Sequence, residues 1–264
     1  MHYYERQEKD RSLTLVLLHG LGTSSSTWVH VLPKLDPRWN VFALDLPGFG
    51  FSLLRNGGQF LGFDELLGSV ASFIEQRVGG PFVLLGHSLG GWLAAKYAAR
   101  NKSTIRRLIL VNNAGILDDR TTAMAKAFDV TTWVELSRLL NTLWFRYPWY
   151  FKPFYPAILR DLRKRHVPDF VRSIHPGDFV NNDLHSLKMN VDIVWGKEDR
   201  LITMQSVEIM QRAMPAARVH LIDKCGHVPQ LERPREFTVI LRDLLRQESG
   251  LPEGLNTSRG VHVP

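Results

Sequence analysis

The sequence predicts a doubly wound, mostly parallel α/β sheet with an inserted helical cap. Short apolar runs without polar alternation recur along the chain, as in strands that are covered on both faces. Segments with helical spacing separate these runs, at 64–78, 89–100, 204–214 and 234–247. Such alternation of strands and helices is typical of α/β domains. One stretch, 117–187, is instead helical and aromatic without a clear buried strand, and we expect it to form the cap.

The predicted strands end in small or polar residues, at the positions where open α/β sheets bind their ligands. Their apolar runs cover 13–18, 41–44, 82–85, 108–111, 191–195 and 218–222. We therefore expect a core domain built from 1–116 and 188–247, with the cap 117–187 between them. The remaining residues, 248–264, contain glycine and proline near their start and are expected to form an extended tail.

Composition limits the class of protein. The chain has 264 residues, 44% of them hydrophobic and 22% charged, as is typical of a soluble globular protein. Its apolar runs are shorter than the roughly 18 residues of a membrane span, and the polar residues 1–10 do not resemble a secretory signal. The single cysteine, Cys225, rules out an internal disulfide and fits a reducing compartment. We therefore expect a cytoplasmic protein.

Ser88 is the candidate nucleophile, at the centre of Gly86-His87-Ser88-Leu89-Gly90. A Gly-x-Ser-x-Gly sequence suits a sharp turn from a strand into a helix, because the serine there is strained and flanking glycines avoid collisions. Here the motif follows the apolar run 82–85 and opens the helical segment 89–100. This context distinguishes Ser88 from an ordinary turn serine.

A serine hydroxyl needs a base to remove its proton, and the base needs a carboxylate to orient it. His227 follows a predicted strand and a glycine near the C-terminus, and it is the candidate base. Asp199, four residues beyond the end of a predicted strand, is the candidate acid. We expect its neighbour Glu198 to point away. Asp118 or Asp119, beyond an earlier strand, remains an alternative for the acid.

Backbone amides are needed to stabilise the oxyanion of a tetrahedral intermediate. We expect these donors to be the amide of Leu89, at the start of the nucleophile helix, and that of Leu21, in the turn after the first long apolar run. Gly20 and His87 adjoin these groups and are candidates for lining or supporting the pocket.

The cap supplies further candidates for the pocket. Ten aromatic residues lie between positions 128 and 155. Trp144, Tyr147 and Trp149 are the candidates from this group for lining an apolar acyl pocket. The same rings could instead form the core of the cap itself, and the sequence leaves both interpretations open.

The cap is also basic. Between 138 and 172 it has eight Arg and Lys residues and two acidic ones, in a chain with a net charge of +7. Such a surface could attract an anionic membrane or an acidic carrier protein, or it could be only a solvated helix face. No nucleic-acid motif accompanies the charge, so nucleic acid is the weakest candidate partner.

Together these motifs resemble the α/β-hydrolase fold superfamily over roughly residues 10–247. The matching segments are Leu17-Leu18-His19-Gly20-Leu21-Gly22, Asp45-Leu46-Pro47-Gly48-Phe49-Gly50-Phe51-Ser52, Gly86-His87-Ser88-Leu89-Gly90-Gly91, Trp195-Gly196-Lys197-Glu198-Asp199 and Cys225-Gly226-His227. The resemblance implies the α/β-hydrolase fold, a triad of Ser88, Asp199 and His227, and a variable cap that largely sets substrate choice. Within the superfamily the chain is most similar to bacterial carboxylesterases and the monoacylglycerol-lipase-like group.

The resemblance also implies an activity. It points to cleavage of carboxylic esters with an apolar acyl group, monoacylglycerol-like or of short to medium chain, through an acyl-Ser88 intermediate. It implies no cofactor and no metal. C–C bond hydrolases, cofactor-free haloperoxidases and methyl ester esterases acting on an acyl-carrier protein are alternatives, because the triad does not separate such enzymes. A non-enzymatic, hydrolase-like sensor of a small ligand is the alternative outside enzymes.

Overall fold

The computed structural model describes residues 1–7, 13–54, 60–101, 104–121, 126–164 and 166–249. Within these residues, seven strands form one sheet in the order β1-β3-β2-β4-β5-β6-β7. The strands are Tyr3–Arg6 (β1), Thr14–Leu18 (β2), Asn40–Leu44 (β3), Phe82–His87 (β4), Ile105–Val111 (β5), Asn190–Gly196 (β6) and Arg218–Ile222 (β7). Only the β1–β3 pair is antiparallel in this described sheet. The predicted mostly parallel sheet is confirmed.

Helices cover both faces of the sheet. The helices of the described chain, including those of the cap, are Phe63–Arg77 (α1), Leu89–Arg100 (α2), Trp133–Leu143 (α3), Tyr155–Lys164 (α4), Val167–Arg172 (α5), Met204–Ala213 (α6), Pro229–Glu232 (α7) and Pro234–Ser249 (α8). Val16 and Leu18 of β2 pack in one apolar cluster with α1 and α2, whereas Leu15 and Leu17 pack in another with α8. Successive side chains of a strand point to opposite faces, so the sheet is doubly wound, as predicted.

Helices α3, α4 and α5 lie between β5 and β6 in the chain, within the predicted cap 117–187. They enclose a small apolar core of their own, which includes Val130 and Tyr155. A capping box starts α3: the Thr132 hydroxyl accepts a hydrogen bond from the Glu135 amide, and the Glu135 carboxylate accepts one from the Thr132 amide. The boundaries between core and cap stay a prediction.

The segment that leaves the cap is tied to α2, the helix that follows the candidate nucleophile. The Lys96 ammonium lies 2.8 Å from the Asp183 carboxylate and also donates to two backbone carbonyls. The Trp92 indole donates to the Asp178 carbonyl over 2.8 Å. A buried ammonium requires such partners. These bonds therefore hold the returning chain against the core.

The structure differs from the sequence analysis at both ends. Strand β1 was missed because Glu5 and Arg6 make it look polar, but it is an edge strand with half-exposed side chains. Helix α8 runs through Ser249, so 248–249 are helical rather than part of an extended tail; neither glycine nor proline interrupts the sequence from 235 to 249. The rest of the predicted tail, 250–264, lies outside the described residues.

No helix of the described chain combines the length and the apolar character that crossing a bilayer requires.

Candidate active site

Ser88 lies in the turn between β4 and α2, with φ +53° and ψ −119°, a strained conformation for a residue with a side chain. Gly86 and Gly90 make this turn sterically feasible. A Cβ on Gly86 would collide with the Gly90 carbonyl, and one on Gly90 would collide with the carbonyls of Leu18 and His19 at the end of β2. The turn therefore places Ser88 at the C-terminal edge of the sheet.

A path of hydrogen bonds joins Ser88 to Asp199 through His227. The His227 Nε2 atom lies 2.9 Å from the Ser88 Oγ atom, and Nδ1 lies 2.7 Å from an Asp199 carboxylate oxygen. All three side chains are buried. With Nδ1–H donating to the carboxylate, Nε2 is left to accept the serine proton. Three residues taken from distant parts of the sequence thus lie in direct contact.

Asn112, at the end of β5, was missed by the sequence analysis. Its amide nitrogen donates to Asp199 Oδ2 over 2.7 Å, and its oxygen accepts from the Gly196 amide at 3.1 Å. The backbone amides of Leu201 and Ile202 donate to Asp199 Oδ1 at 2.8 and 3.0 Å. Among the described residues, no lysine or arginine pairs with this carboxylate. In the sequence, Asn112 could have been recognised as a candidate site residue because it is a polar residue directly after a predicted strand.

The alternative acids lie elsewhere. Asp118 accepts a hydrogen bond from the Ser206 hydroxyl at 2.9 Å, and Asp119 accepts one from a glutamine amide of the same helix, α6. Glu198 accepts from the Cys225 amide at 2.9 Å, so it points away from the candidate base. Asp118 and Asp119 therefore hold α6 in place, and Glu198 holds the loop before His227.

The loop that carries His227 is bonded to the cap. The His227 amide donates to the Leu143 carbonyl, at the end of α3, over 2.6 Å. The Glu232 carboxylate accepts from the Gly226 amide at 2.9 Å and from the Phe145 amide at 2.7 Å. Burial raises the pKa of Glu232 although these amides favour its charged form. The candidate base is thus attached to the cap through its own backbone and through a neighbouring carboxylate.

Cys225, two residues before His227, is fully buried. Burial, followed by the nearby charge of Glu232, raises the pKa of the thiol well above its ordinary range. The side chain therefore packs as a small neutral group.

His87 supports the base and does not line the cavity. Its Nε2–H donates to the His227 carbonyl over 2.8 Å. Burial, followed by the proximity of His227, lowers the pKa of His87 to about 3, so the ring is neutral at neutral pH. A Cβ added to Gly20 would lie 2.9 Å from the His87 Nδ1 atom, so these two residues pack against each other. Of the two roles expected for these residues, lining or supporting the pocket, their contacts correspond to support.

The two predicted oxyanion donors lie beside Ser88. Leu89 is the first residue of α2, where the leading N–H groups have no acceptor within the helix. Leu21 lies in the turn after β2, and both leucines line the cavity at Ser88. His19 holds this turn, since its Nδ1 bonds to the next backbone carbonyl at 2.7 Å and its Nε2 accepts from the Leu46 amide at 2.9 Å. The oxyanion role of Leu21 and Leu89 stays a prediction.

A small apolar cavity, about 30 Å³ in volume, lies against Ser88. Apart from the serine, it is lined by Leu21, Leu89, Trp92, Ala114, Phe128, Phe170, Val171, Ile174, Leu201 and Ile202. Sites for small-molecule ligands commonly measure about 300–1,000 Å³. The cavity is smaller than that range, and the cap supplies part of its lining through Phe128 and Phe170.

The cap aromatics predicted for the pocket lie outside this cavity. Tyr147 packs against Tyr155, 6.2 Å between ring centroids, in the core of the cap. Trp144 lines a separate groove at the surface, and Trp149 is 76% exposed. The many aromatic residues of this segment form the cap's own core and surface. The prediction failed because helical spacing does not reveal which face of a helix meets the nucleophile.

Within the described residues, no three His, Cys, Asp or Glu side chains come together as a potential metal site.

Comparisons with known proteins identify relatives over most of the chain. The model of a family described as the alpha/beta hydrolase family matches residues 15–239. Monoacylglycerol lipase ABHD6 from Homo sapiens is 25% identical over 260 residues, which cover 88% of this chain and 75% of that protein. A 2-hydroxy-6-oxo-2,4-heptadienoate hydrolase from Pseudomonas putida is 23% identical over 250 residues, covering 89% of each protein.

Solved structures are similar over nearly the whole chain. A membrane phospholipase A, described as a bacterial virulence factor, superposes with a TM-score of 0.82 at 25% identity, covering 94% of this chain and 83% of that one. The meta-cleavage product hydrolase CumD superposes with a TM-score of 0.78 at 20% identity, covering 93% and 94%. The second likeness concerns the fold alone.

Proposed function

Because the chain belongs to the alpha/beta hydrolase family, we propose that it cleaves carboxylic esters with an apolar acyl group, with Ser88 as nucleophile. At the family level it is a lipase- or esterase-like hydrolase. The observation that most supports the finer proposal is the unbroken path of hydrogen bonds from the Ser88 hydroxyl through His227 to Asp199. Such a path activates a serine that is otherwise a weak nucleophile.

In the proposed mechanism, His227 Nε2 takes the Ser88 proton as Oγ attacks the ester carbonyl carbon. The amides of Leu21 and Leu89 stabilise the oxyanion of the tetrahedral intermediate. When the intermediate collapses, the C–O bond to the alcohol breaks, and the alcohol leaves with the proton from His227. Water then attacks acyl-Ser88 with the same base, which releases the carboxylic acid and restores the serine. Asp199 stabilises the imidazolium in both halves.

The cavity favours an apolar acyl group over a charged substrate. The P. putida relative is, by its name, the hydrolase of a dienoate, and such a substrate carries a carboxylate. A buried carboxylate requires a cationic or hydrogen-bonding partner. The lining at Ser88 contains no lysine, arginine or histidine among the described residues. A monoacylglycerol-like ester presents an aliphatic chain, which suits this lining.

Hydrolysis of p-nitrophenyl butyrate and octanoate by the wild type, Ser88→Ala and His227→Gln tests the proposal. We expect kcat to fall about 10⁶-fold in either variant, the loss typical of removing the nucleophile or the base of such a triad. A fluorophosphonate should label the peptide that contains Ser88 in the wild type.

Three results would contradict the proposal. Wild-type turnover in Ser88→Ala would show that Ser88 is not the nucleophile. Turnover of a ring-cleavage dienone well above that of every ester would favour the C–C hydrolase. No turnover of any substrate, together with tight binding of a small ligand, would favour a sensor.

The lone, buried thiol of Cys225 supports a reducing, cytoplasmic location, and we include this in the proposal. Cell fractionation with a thiol-redox probe tests it, and recovery outside the cytoplasm would contradict it.

A further inference from the structure

The cap exposes an aromatic surface that neither the fold nor the proposed chemistry requires. Trp149, Tyr150 and Phe154 are 76%, 58% and 58% exposed. They belong to one 3-10 helical segment, Trp149–Phe154. We name the exposed rings Trp149, Tyr150, Phe151 and Phe154 the aromatic patch. Contiguous exposed apolar patches are uncommon in monomeric proteins and mark contact sites.

The rings of the aromatic patch touch one another and rest on the core of the cap. Centroid distances are 6.2 Å for Trp149–Tyr150, 5.0 Å for Tyr150–Phe151 and 6.3 Å for Phe151–Phe154. Underneath, Phe151 contacts the half-buried Tyr147 at 6.0 Å. The patch is therefore one preorganised surface, which reduces the entropy lost on binding.

Basic side chains adjoin the aromatic patch. Arg146 and Lys152 are exposed, and among the described residues neither has a carboxylate partner; Arg146 stacks over the Phe145 ring at 5.4 Å. A groove of about 370 Å³ beside the patch is lined by Tyr150 among other residues, and its charged lining consists of three basic side chains, Arg146, Lys224 and Arg233, and one acidic side chain, Glu232. Exposed Trp and Tyr with interleaved cations match the two components of a bilayer interface, the acyl boundary and anionic headgroups.

We propose that the aromatic patch, with the basic groove beside it, docks the protein on a bilayer that contains anionic phospholipid. The rings lie at the acyl boundary, and Arg146, Lys152 and Lys224 contact the headgroup phosphates. An acidic carrier protein fits the charges equally well, but a polar partner leaves the exposed rings without apolar contact, and this favours the bilayer. The groove adjoins the loop of His227, because Phe145 lines it and donates its amide to Glu232, whose carboxylate also accepts from the Gly226 amide of that loop.

The test is co-sedimentation of the full chain with vesicles of phosphatidylcholine alone or mixed with phosphatidylglycerol, at low and high salt. We expect binding to the mixed vesicles that weakens with salt. The double variant Trp149→Ser/Phe154→Ser should weaken it about tenfold or more. Each of Arg146→Gln and Lys152→Gln should weaken it about fivefold on mixed vesicles only.

Phe51→Ser is the matched control, because Phe51 is a 79% exposed ring on the core rather than the cap. It should bind like the wild type. Circular dichroism and hydrolysis of p-nitrophenyl butyrate check that the patch variants are folded. Binding does not require turnover, so it is measured in Ser88→Ala as well, and a failure of the proposed esterase activity leaves this test intact.

Three outcomes would overturn the proposal. One is binding that is absent or equal on both kinds of vesicle. Another is equal loss of binding in Phe51→Ser and in the patch variants. The third is a wild-type dimer by light scattering that Trp149→Ser/Phe154→Ser converts to a monomer, because the patch would then join two copies of the chain.

Discussion

Among the described residues, three buried aspartates, Asp45, Asp192 and Asp199, bond to histidine, and two of them, Asp192 and Asp199, lie on or just after the same strand, β6. Asp199, in the loop after β6, lies 2.7 Å from His227, and Asp192, near the start of β6, lies 2.9 Å from His220. The side chain of each aspartate is almost fully buried. The two pairs are alike in distance and in the burial of the aspartate, but the His220 side chain is 26% exposed and that of His227 only 3%, and only His227 is adjacent to a serine hydroxyl.

The surroundings of the two carboxylates differ in charge. Asp192 also contacts Arg107 and bonds to Arg218 at 2.9 Å. Burial alone would raise the pKa of Asp192, but the hydrogen bonds from His220, Arg218 and Arg107 outweigh it and lower the pKa. The two guanidinium groups neutralise that carboxylate, whereas Asp199 meets only neutral donors besides His227. A carboxylate stabilises an imidazolium best when no other cation shares its charge. Among the described residues, no arginine contacts Asp199, which suits a carboxylate that stabilises His227 alone.

The largest expected contrast concerns activity. Asp199→Asn should lower kcat about 10⁴-fold, because the asparagine favours the wrong tautomer of the histidine and cannot balance its positive form. Asp192→Asn should leave kcat per folded molecule unchanged. Both are measured on p-nitrophenyl butyrate, with circular dichroism to verify folding. Equal losses in the two variants would mean that the pairs are not functionally distinct.

Stability should show the opposite contrast. Asp192→Asn leaves the buried Arg107 with Glu248 as its remaining carboxylate, and should lower the free energy of unfolding by about 3 kcal/mol at neutral pH. Asp199→Asn removes a carboxylate with no cation beside it and should change that free energy less. Urea titration of both variants measures the difference, and a larger loss in Asp199→Asn would refute the contrast.

The stability difference should also depend on pH. The folded-state pKa of Asp192 lies below its ordinary 3.8, so its stabilisation is present above that value and is lost as the pH falls through the folded pKa. The advantage of the wild type over Asp192→Asn should therefore shrink below about pH 4. If the difference in the free energy of unfolding between the wild type and Asp192→Asn is unchanged in acid, the charge of the carboxylate is not its cause.

The smallest expected effect concerns Asn112. A hydrogen bond to a charged group contributes about 1.5–3 kcal/mol, so Asn112→Gly should lower kcat about tenfold to a hundredfold. Glycine retains the backbone conformation at this position, where φ is +38°. Asn113→Ala, whose amide bonds to the Ala114 carbonyl instead, is the control and should change kcat far less. Equal effects would show that Asn112 does not orient Asp199.

The parallel sheet and the three residues of the hydrogen-bonded path from Ser88 to Asp199 could be predicted from the sequence. The reason is that the positions of these residues after strands determine where they come together. Ser88, Asp199 and His227 each follow a strand of a parallel sheet, and the carboxyl ends of such strands share one edge. Asn112 also follows a strand, but nothing local distinguishes a carboxylate's partner from an ordinary turn residue.

The cap was harder to predict, for a different reason. Phe170 lines the cavity while Trp149 is exposed, although both are aromatic residues of short helical segments. Helical spacing identifies an apolar face, but the orientation of that face depends on packing against a distant part of the chain. Strand β1 was also missed in the sequence, because an edge strand does not need apolar residues on both faces.

Cys225 gives the loop of His227 an internal reporter. A thiol reagent reacts with the thiolate, and burial here removes both access and ionisation, so labelling requires local opening of the loop. When reagent is in such excess that alkylation is faster than reclosing, the alkylation rate of the native protein therefore reports how often the loop around Cys225 opens. Since the His227 amide is bonded to Leu143 of the cap, we expect opening of this loop to be coupled to loosening of the cap, and mass spectrometry of the labelled protein measures it without any substitution.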